Sequence, residues 1–130
     1  MNVLFENYVE SLLKNSKIKN LQTKFSREYL LSENTIGLEP DYMFKLNNEL
    51  IIADAKYKIL EKKLKREDVF QVYSYMNYFG CDKAYIFAPK SSNEKNKTYT
   101  IEKTNKTITL FYVDIKKDKI INFEKRREDE

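Results

Sequence analysis

The chain has 130 residues, of which 24 are Lys or Arg and 20 are Asp or Glu, so its formal net charge is +4. A hydrophobic fraction of 42% is typical of a globular chain, and the length fits one domain over residues 1–130, with a charged end from about residue 124. Because there is no histidine and there are only two glycines, the composition excludes a Ser-His-Asp triad, a histidine–metal site and a glycine-rich phosphate loop.

The single cysteine, Cys81, excludes an internal disulfide and fits a reducing compartment. No apolar run approaches the roughly 18 residues that a membrane span requires, so we expect a soluble, cytoplasmic protein without a membrane partner. The excess of positive charge lies wholly in residues 61–130. Such a bias suits a polyanionic partner, although an ordinary lysine-rich surface is the simpler interpretation on charge alone.

The first half of the chain predicts a helix followed by three strands. Residues 3–14 have helical spacing, with an apolar face formed by Leu4, Phe5, Tyr8, Val9, Leu12 and Leu13. Residues 20–31 alternate loosely and predict a strand, and residues 32–40 predict a loop that ends at Pro40. Two strands with clear alternation follow, whose apolar positions are Tyr42, Phe44 and Leu46 in the first and Ile51, Ala53, Ala55 and Tyr57 in the second.

The second half of the chain predicts a helix between two strands. Residues 65–79 form the helix, with Gly80 as its C-cap and a core face of Val69, Val72, Tyr73, Met76 and Phe79. Residues 83–89 and 107–115 predict strands, joined by a polar, lysine-bearing connection. A helix that links two strands indicates a right-handed crossover between parallel strands. The fold class is therefore α/β, a mixed central β-sheet flanked by helices in the order αβββαβ.

The hairpin of residues 41–57 carries charge at positions where strands normally bury apolar side chains. A tight turn at Asn47-Asn48, where Asn tolerates positive φ, gives a register in which Asp41 lies opposite Asp54. Opposed residues have Cβ atoms about 4.5–5.5 Å apart and share a face, and Lys56 follows on the same face. An exposed cross-strand salt bridge is one interpretation. We favour a Mg²⁺ site, because the same face carries apolar residues and two buried carboxylates without a cation are costly.

These residues resemble the PD-(D/E)xK nuclease superfamily. The motif consists of an acidic residue in the first helix (Glu6), Pro40-Asp41, Asp54-Ala55-Lys56 and a Gln71-x-x-x-Tyr75 helix. Within the superfamily, "PDYMF", "IIADAKYK" and "DVFQVYSYM" look like the nuclease part of McrC, the cleavage subunit of modification-dependent restriction systems. The resemblance covers roughly residues 4–89. It implies a restriction-endonuclease-like core and DNA cleavage.

The resemblance also implies a role for each matching position. Asp41 and Asp54 would bind Mg²⁺, with Mn²⁺ as a substitute, and the Ala55 carbonyl and Glu6 would complete the metal site. Lys56 would orient or activate the attacking water. The positions implied to line the site or contact the DNA are Gln71, Tyr75 and Lys58. The implied partners are DNA and a McrB-like GTPase, and a homodimer is left open.

Two other interpretations remain open. The same core and Gln-x-x-x-Tyr helix occur in RecB-like and CRISPR-associated exonucleases and in Holliday-junction resolvases, although one cysteine disfavours the iron–sulfur exonucleases. A catalytically silent nucleic-acid-binding module is an interpretation of another class. McrC-type subunits carry an additional N-terminal region, so we expect this chain to be an isolated domain or a related stand-alone nuclease.

Overall fold

The computed structural model describes residues 3–23, 28–29, 37–57 and 64–123. Lys58 and the predicted charged end lie outside these residues. Within them the chain forms the helices α1 (Val3–Lys14) and α2 (Arg66–Phe79). The strands are β1 (Lys19–Gln22), β2 (Glu28–Tyr29), β3 (Gly37–Leu38), β4 (Tyr42–Leu46), β5 (Glu49–Ala55), β6 (Lys83–Pro89), β7 (Lys97–Thr100), β8 (Thr107–Asp114) and β9 (Lys119–Ile120).

The main sheet is mixed and has seven strands in the order β1-β4-β5-β6-β8-β7, with β9 joined to β8. Strands β5, β6 and β8 are parallel to one another, whereas β1, β4, β7 and β9 pair antiparallel with their neighbours. The predicted mixed sheet is therefore confirmed. The predicted αβββαβ order runs through α1, β1, β4, β5, α2 and β6, with the small β2–β3 sheet inserted after β1.

The two helices pack on opposite faces of this sheet. Because side chains alternate along a strand, β5 divides its residues between both faces. Ile51, Ala53 and Ala55 share a core with the buried residues of α1, whereas Ile52 belongs to the core that includes the buried residues of α2. Asp54 and Lys56 continue the alternation of Ile52, so both belong to the α2 side of the sheet.

Helix α1 buries a narrower stripe than its sequence predicts. Phe5, Val9 and Leu13, spaced four residues apart, are buried. Leu4, which the periodicity placed on the core face, is 82% exposed. That expectation was wrong, because residues 4 and 5 differ by 100° around the helix and the sheet covers only the side that faces Phe5.

The β4–β5 hairpin has the predicted turn and register. Asn47 and Asn48 have φ values of 52° and 67°, the left-handed conformation that two-residue hairpin loops require. Leu46 pairs with Glu49 and the ladder continues to Tyr42 and Ala53. A local choice of turn residues therefore fixes which residues meet at the far end of the hairpin.

Helix α2 ends as predicted, at Gly80 with φ of 74°, whose backbone N–H donates to the Met76 carbonyl. Its buried residues are Val72, Tyr75 and Met76. Tyr75 is thus part of the core, whereas the predicted core residue Tyr73 is only half-buried. Neither of the helices that the structure describes is long and apolar enough to cross a membrane.

Two regions differ from the sequence expectations. Residues 20–31 do not form one strand, because β1 ends at Gln22 and β2 belongs to the second sheet. The polar connection after β6 contains β7, which pairs with β8 at the sheet edge. Its Thr98 hydroxyl lies 3.0 Å from that of Thr109. An edge strand without a buried face lacks the apolar alternation that makes a strand visible in sequence.

Candidate active site

The candidate site lies where β4 begins and β5 ends. Asp41 directly precedes β4, and the ladder that pairs Tyr42 with Ala53 brings it to Asp54. The Asp41 backbone N–H donates to Asp54 Oδ1 at 3.0 Å, and the Ala55 N–H donates to Asp41 Oδ2 at 2.8 Å. Each carboxylate is therefore held by the backbone of the opposite strand, and the predicted proximity of the two aspartates is confirmed.

Burial makes this carboxylate pair costly to ionise. Burial and the charge of Asp54 raise the pKa of Asp41 to about 8, against the opposing effect of the Ala55 hydrogen bond. Burial also raises the pKa of Asp54, although the Lys56 ammonium opposes this rise. Asp54 is 1% exposed. A divalent cation between the two carboxylates would oppose both shifts, because it favours the ionised form of each carboxyl.

Lys56 lies on the α2 side of Asp54 and is surrounded by acceptors. Its Nζ is 3.0 Å from Asp54 Oδ2 and donates to Gln71 Oε1 at 2.7 Å. Asp68 Oδ1 is 3.8 Å from the same nitrogen. The Lys56 backbone N–H donates to the Phe87 carbonyl at 2.8 Å, which fixes the start of the side chain against β6. Although burial favours the neutral amine, the charge and hydrogen bond of Asp54 together with the charges of Asp68 and Asp41 outweigh it and raise the pKa of Lys56.

Glu6 approaches the pair from the α1 side. Its side chain makes a hydrogen bond with Asp41 that contributes to the raised pKa of that carboxyl. Tyr42 donates its hydroxyl to the Glu6 carbonyl at 2.7 Å, so the first turn of α1 is fixed against β4. A cavity of about 210 Å³, lined among others by Glu6, Glu10 and Asp41, opens here. Glu6, the predicted third member of the acidic set, is thus next to Asp41.

The predicted Gln-x-x-x-Tyr pair lies on the other side of the site. Gln71 is exposed and accepts the Lys56 hydrogen bond, whereas Tyr75 is buried and donates to the Glu39 carbonyl at 3.4 Å. Burial and the charges of Asp54 and Asp41 raise the pKa of Tyr75 to about 12, and a hydrogen bond with Gln71 opposes the rise. The pair therefore connects Lys56 to the segment before Asp41. A contact with DNA remains a prediction for both residues.

The donor set can be compared with what Mg²⁺ requires. No group of three or more Asp, Glu or Cys side chains suited to a metal is preformed among the residues that the structure describes. Mg²⁺ is commonly bound by one or two carboxylates, with water and substrate phosphate completing its octahedron. Asp41 and Asp54 fit that pattern, because burial raises the pKa of both carboxyls and a bound cation would favour their ionised forms. The metal roles of the Ala55 carbonyl and Glu6 remain predictions.

Sequence reasoning missed one residue of this constellation, Asp68. It lies in the first turn of α2, three residues before Gln71, and therefore on the same helix face. That spacing was visible in the sequence. A glutamate or aspartate in a first helical turn is so common that it gives no signal by itself, and the contact with Lys56 depends on how α2 docks on the sheet.

A larger hollow, of about 300 Å³, lies at the hairpin end of the sheet. Its lining residues are Lys17, Leu46, Asn47, Tyr85, Phe111, Asn122 and Phe123. They include no carboxylate, so the larger of these two cavities is not the one that contains the candidate catalytic residues.

The mixed sheet, with one helix on each face and two aspartates and a lysine at the end of a hairpin, defines a restriction-endonuclease-like core. A chain of the solved half-complex from the tetradecameric assembly of Thermococcus gammatolerans McrB AAA+ hexamers with bound McrC has this fold, with a TM-score of 0.70 at 22% identity. The match covers 88% of this chain and 28% of that chain.

A family model described as "McrBC 5-methylcytosine restriction system component" matches residues 1–88. The protein belongs to this family, as the sequence resemblance predicted. A comparison with curated proteins gave no match. The family match includes Glu6, Asp41, Asp54, Lys56 and the helix that carries Gln71 and Tyr75.

Proposed function

We propose that this chain is a metal-dependent DNA endonuclease, the cleavage part of an McrC-like restriction subunit. The observation that supports this proposal most directly is the pairing of two carboxylates by backbone hydrogen bonds, from Asp41 N–H to Asp54 and from Ala55 N–H to Asp41. The Lys56 ammonium lies 3.0 Å from Asp54. The buried carboxyl of Asp54 and the half-buried carboxyl of Asp41, both with raised pKa values and next to a lysine, are costly in a structural role. They are suited to bind a divalent cation and to act on a phosphodiester.

In this proposal, Asp41 and Asp54 hold Mg²⁺ or Mn²⁺, and the Ala55 carbonyl and Glu6 complete the site. A bound ion supplies Lewis acidity toward the phosphate and lowers the pKa of a bound water. Lys56 donates a hydrogen bond to the attacking water or to a phosphate oxygen and offsets the negative charge that develops there. Its stem starts from a backbone held by the Phe87 carbonyl, and its ammonium lies next to Asp54 and Gln71.

The proposed partners are DNA and a McrB-like GTPase. The structural relative is described as McrC bound to McrB AAA+ hexamers, and we extend that assembly to this chain as part of the proposal. No aromatic reading surface or base-specific motif is needed in this domain, because the choice of sequence or modification can reside in another domain or subunit. A homodimer remains a prediction.

Cleavage of supercoiled plasmid and of linear, end-labelled DNA in Mg²⁺ or Mn²⁺ tests the proposal. The purified chain is assayed alone and with the McrB-like protein of the same organism and GTP. Nicking of the plasmid that disappears in Asp54→Asn supports an endonuclease, whereas release of label from ends alone supports the exonuclease interpretation. The matched control is Lys83→Ala, because Lys83 forms a surface ion pair with Glu49 outside the site. No cleavage in either format, with no Mn²⁺ binding by calorimetry, would overturn the proposal in favour of a silent module.

A further inference from the structure

We propose that Asp68 is a positioning residue for Lys56, which holds the ammonium when a cation occupies Asp41 and Asp54. The inference rests on the proposed function and assigns a role to a residue to which the sequence resemblance gave none. Asp68 lies in the first turn of α2, and its side chain is 18% exposed. It is close to Lys56 but is not near enough to Asp41 or Asp54 to form a three-carboxylate metal group among the described residues.

Three oxygen atoms surround Lys56 Nζ at different distances. Asp54 and Gln71 are at 3.0 and 2.7 Å, whereas Asp68 is at 3.8 Å, beyond direct hydrogen-bond distance but within an ion pair. Without a cation, Asp54 is therefore the principal counter-charge and Asp68 is a second one held nearby. Gln71 supplies an acceptor without a charge.

A divalent cation on Asp54 changes this balance. The carboxylate then faces two positive groups, and the cation also repels the ammonium through a medium that screens poorly. Asp54 cannot fully compensate the charges of both the divalent cation and the Lys56 ammonium. Asp68 is the remaining charged acceptor described at the ammonium, and a small displacement of the flexible lysine side chain would close the 3.8 Å separation. The role of Asp68 is therefore to accept Lys56 when the cation takes Asp54.

The neighbouring residue Glu67 provides a matched control. It lies in the same helical turn and carries the same charge, but it is exposed and 100° around the helix from Asp68. Glu67→Gln and Asp68→Asn therefore remove equal charge from the same helical turn. Only Asp68→Asn removes a counter-charge next to Lys56.

The first measurement is the binding of Mn²⁺ to the purified chain by calorimetry, in the wild type and in both variants. In Asp68→Asn the ammonium stays on Asp54 and opposes the ion, so we expect a Kd roughly tenfold or more above that of Glu67→Gln. In a Lys56→Met background the difference between the two variants should disappear, because no ammonium needs to be accepted. Lys56→Gln replaces Lys56→Met if the latter fails to fold.

The second measurement is steady-state cleavage. We expect Asp68→Asn to lower kcat by roughly tenfold to a hundredfold without raising KM, since the loss of a negative charge favours DNA binding. Asp68→Glu should recover part of kcat, and Glu67→Gln should leave it unchanged.

Equal Mn²⁺ affinities in Asp68→Asn and Glu67→Gln would overturn the inference, and so would a difference that persists without Lys56, because Asp68 would then act on the ion directly. Loss of Mn²⁺ binding or of cleavage in the wild type would instead count against the proposed function. The two failures are therefore distinguishable.

Discussion

Asp41 and Asp54 hold each other in place across the end of the β4–β5 hairpin, because each accepts a hydrogen bond from the other strand's backbone. The two carboxylates are thus positioned by peptide groups. An asparagine at either position can keep the hydrogen bond while it removes the charge. The two aspartates differ in their counter-charge, since the Lys56 ammonium contacts Asp54 and Asp41 has Glu6 beside it.

This asymmetry predicts different stabilities for two inactive variants. Without metal, Asp41→Asn relieves repulsion and should raise the free energy of unfolding by on the order of 1 kcal/mol, a few degrees in Tm. Asp54→Asn removes the partner of Lys56 and should be neutral or destabilising. Melting curves in EDTA at pH 8 measure both effects, and cleavage should be lost in both variants. Equal Tm changes in the two variants would show that Lys56 does not distinguish the carboxylates.

The raised pKa of Asp41 predicts how the metal-free protein responds to pH. The ordinary value of 3.8 applies in the unfolded chain, and the folded value is about 8. A carboxyl with a raised folded pKa contributes stability below pH 3.8 that is lost as the pH rises through about 8. Denaturant titrations between these limits in EDTA should therefore show a decline that Asp41→Asn reduces. A decline that is identical in the variant would assign the pH dependence to other groups.

Bound Mn²⁺ should stabilise the fold by mass action. At a hundredfold excess over its Kd the gain is about 2.7 kcal/mol, which corresponds to a few degrees in Tm. Asp41→Ala should abolish most of this shift, because it removes one of the two carboxylate ligands. Asp82→Asn is the control, since Asp82 pairs with Lys106 at the surface away from the site. The same shift in Asp41→Ala and wild type would place the ion elsewhere.

The hairpin and the packing of α2 show which parts of this structure can be predicted from the sequence and which cannot. The turn at Asn47 and Asn48 and the alternation of the two strands are local properties, so the opposition of Asp41 and Asp54 could be deduced. The contact of Asp68 with Lys56 depends on how a helix docks across the sheet, which no local pattern encodes. The sequence did not predict strand β7 for a related reason. Pairing with β8 imposes the extended conformation of β7, whereas the polar residues of β7 do not favour a strand by themselves.

Lys56→Ala should separate catalysis from stability. Cleavage should be lost, and the metal-free protein should be destabilised by about 1–3 kcal/mol because buried Asp54 loses its counter-charge. Mn²⁺ can supply that charge, so its stabilising shift should be larger than in the wild type. Melting curves with EDTA and with Mn²⁺ measure both quantities. The control is Lys83→Ala, at an exposed ion pair, which should change Tm little in either condition. If Mn²⁺ raised the Tm of Lys56→Ala by the same amount as that of the wild type, this result would contradict the charge balance described for Asp54.

Tyr75→Phe tests the connection between α2 and the segment before Asp41. The substitution keeps the buried ring and removes the hydroxyl that donates to the Glu39 carbonyl at 3.4 Å and hydrogen bonds with Gln71. The expected loss is about 0.5–1.5 kcal/mol of unfolding free energy. Because the hydroxyl holds the backbone two residues before Asp41, Mn²⁺ affinity should also fall, with a larger relative effect than in Tyr78→Phe on the half-exposed surface of the same helix. Calorimetric titration of both variants measures the difference. A stability loss with unchanged Mn²⁺ affinity would show that Tyr75 contributes to the core and not to metal binding. A cleavage defect without a change in stability or in Mn²⁺ affinity would support its predicted contact with DNA.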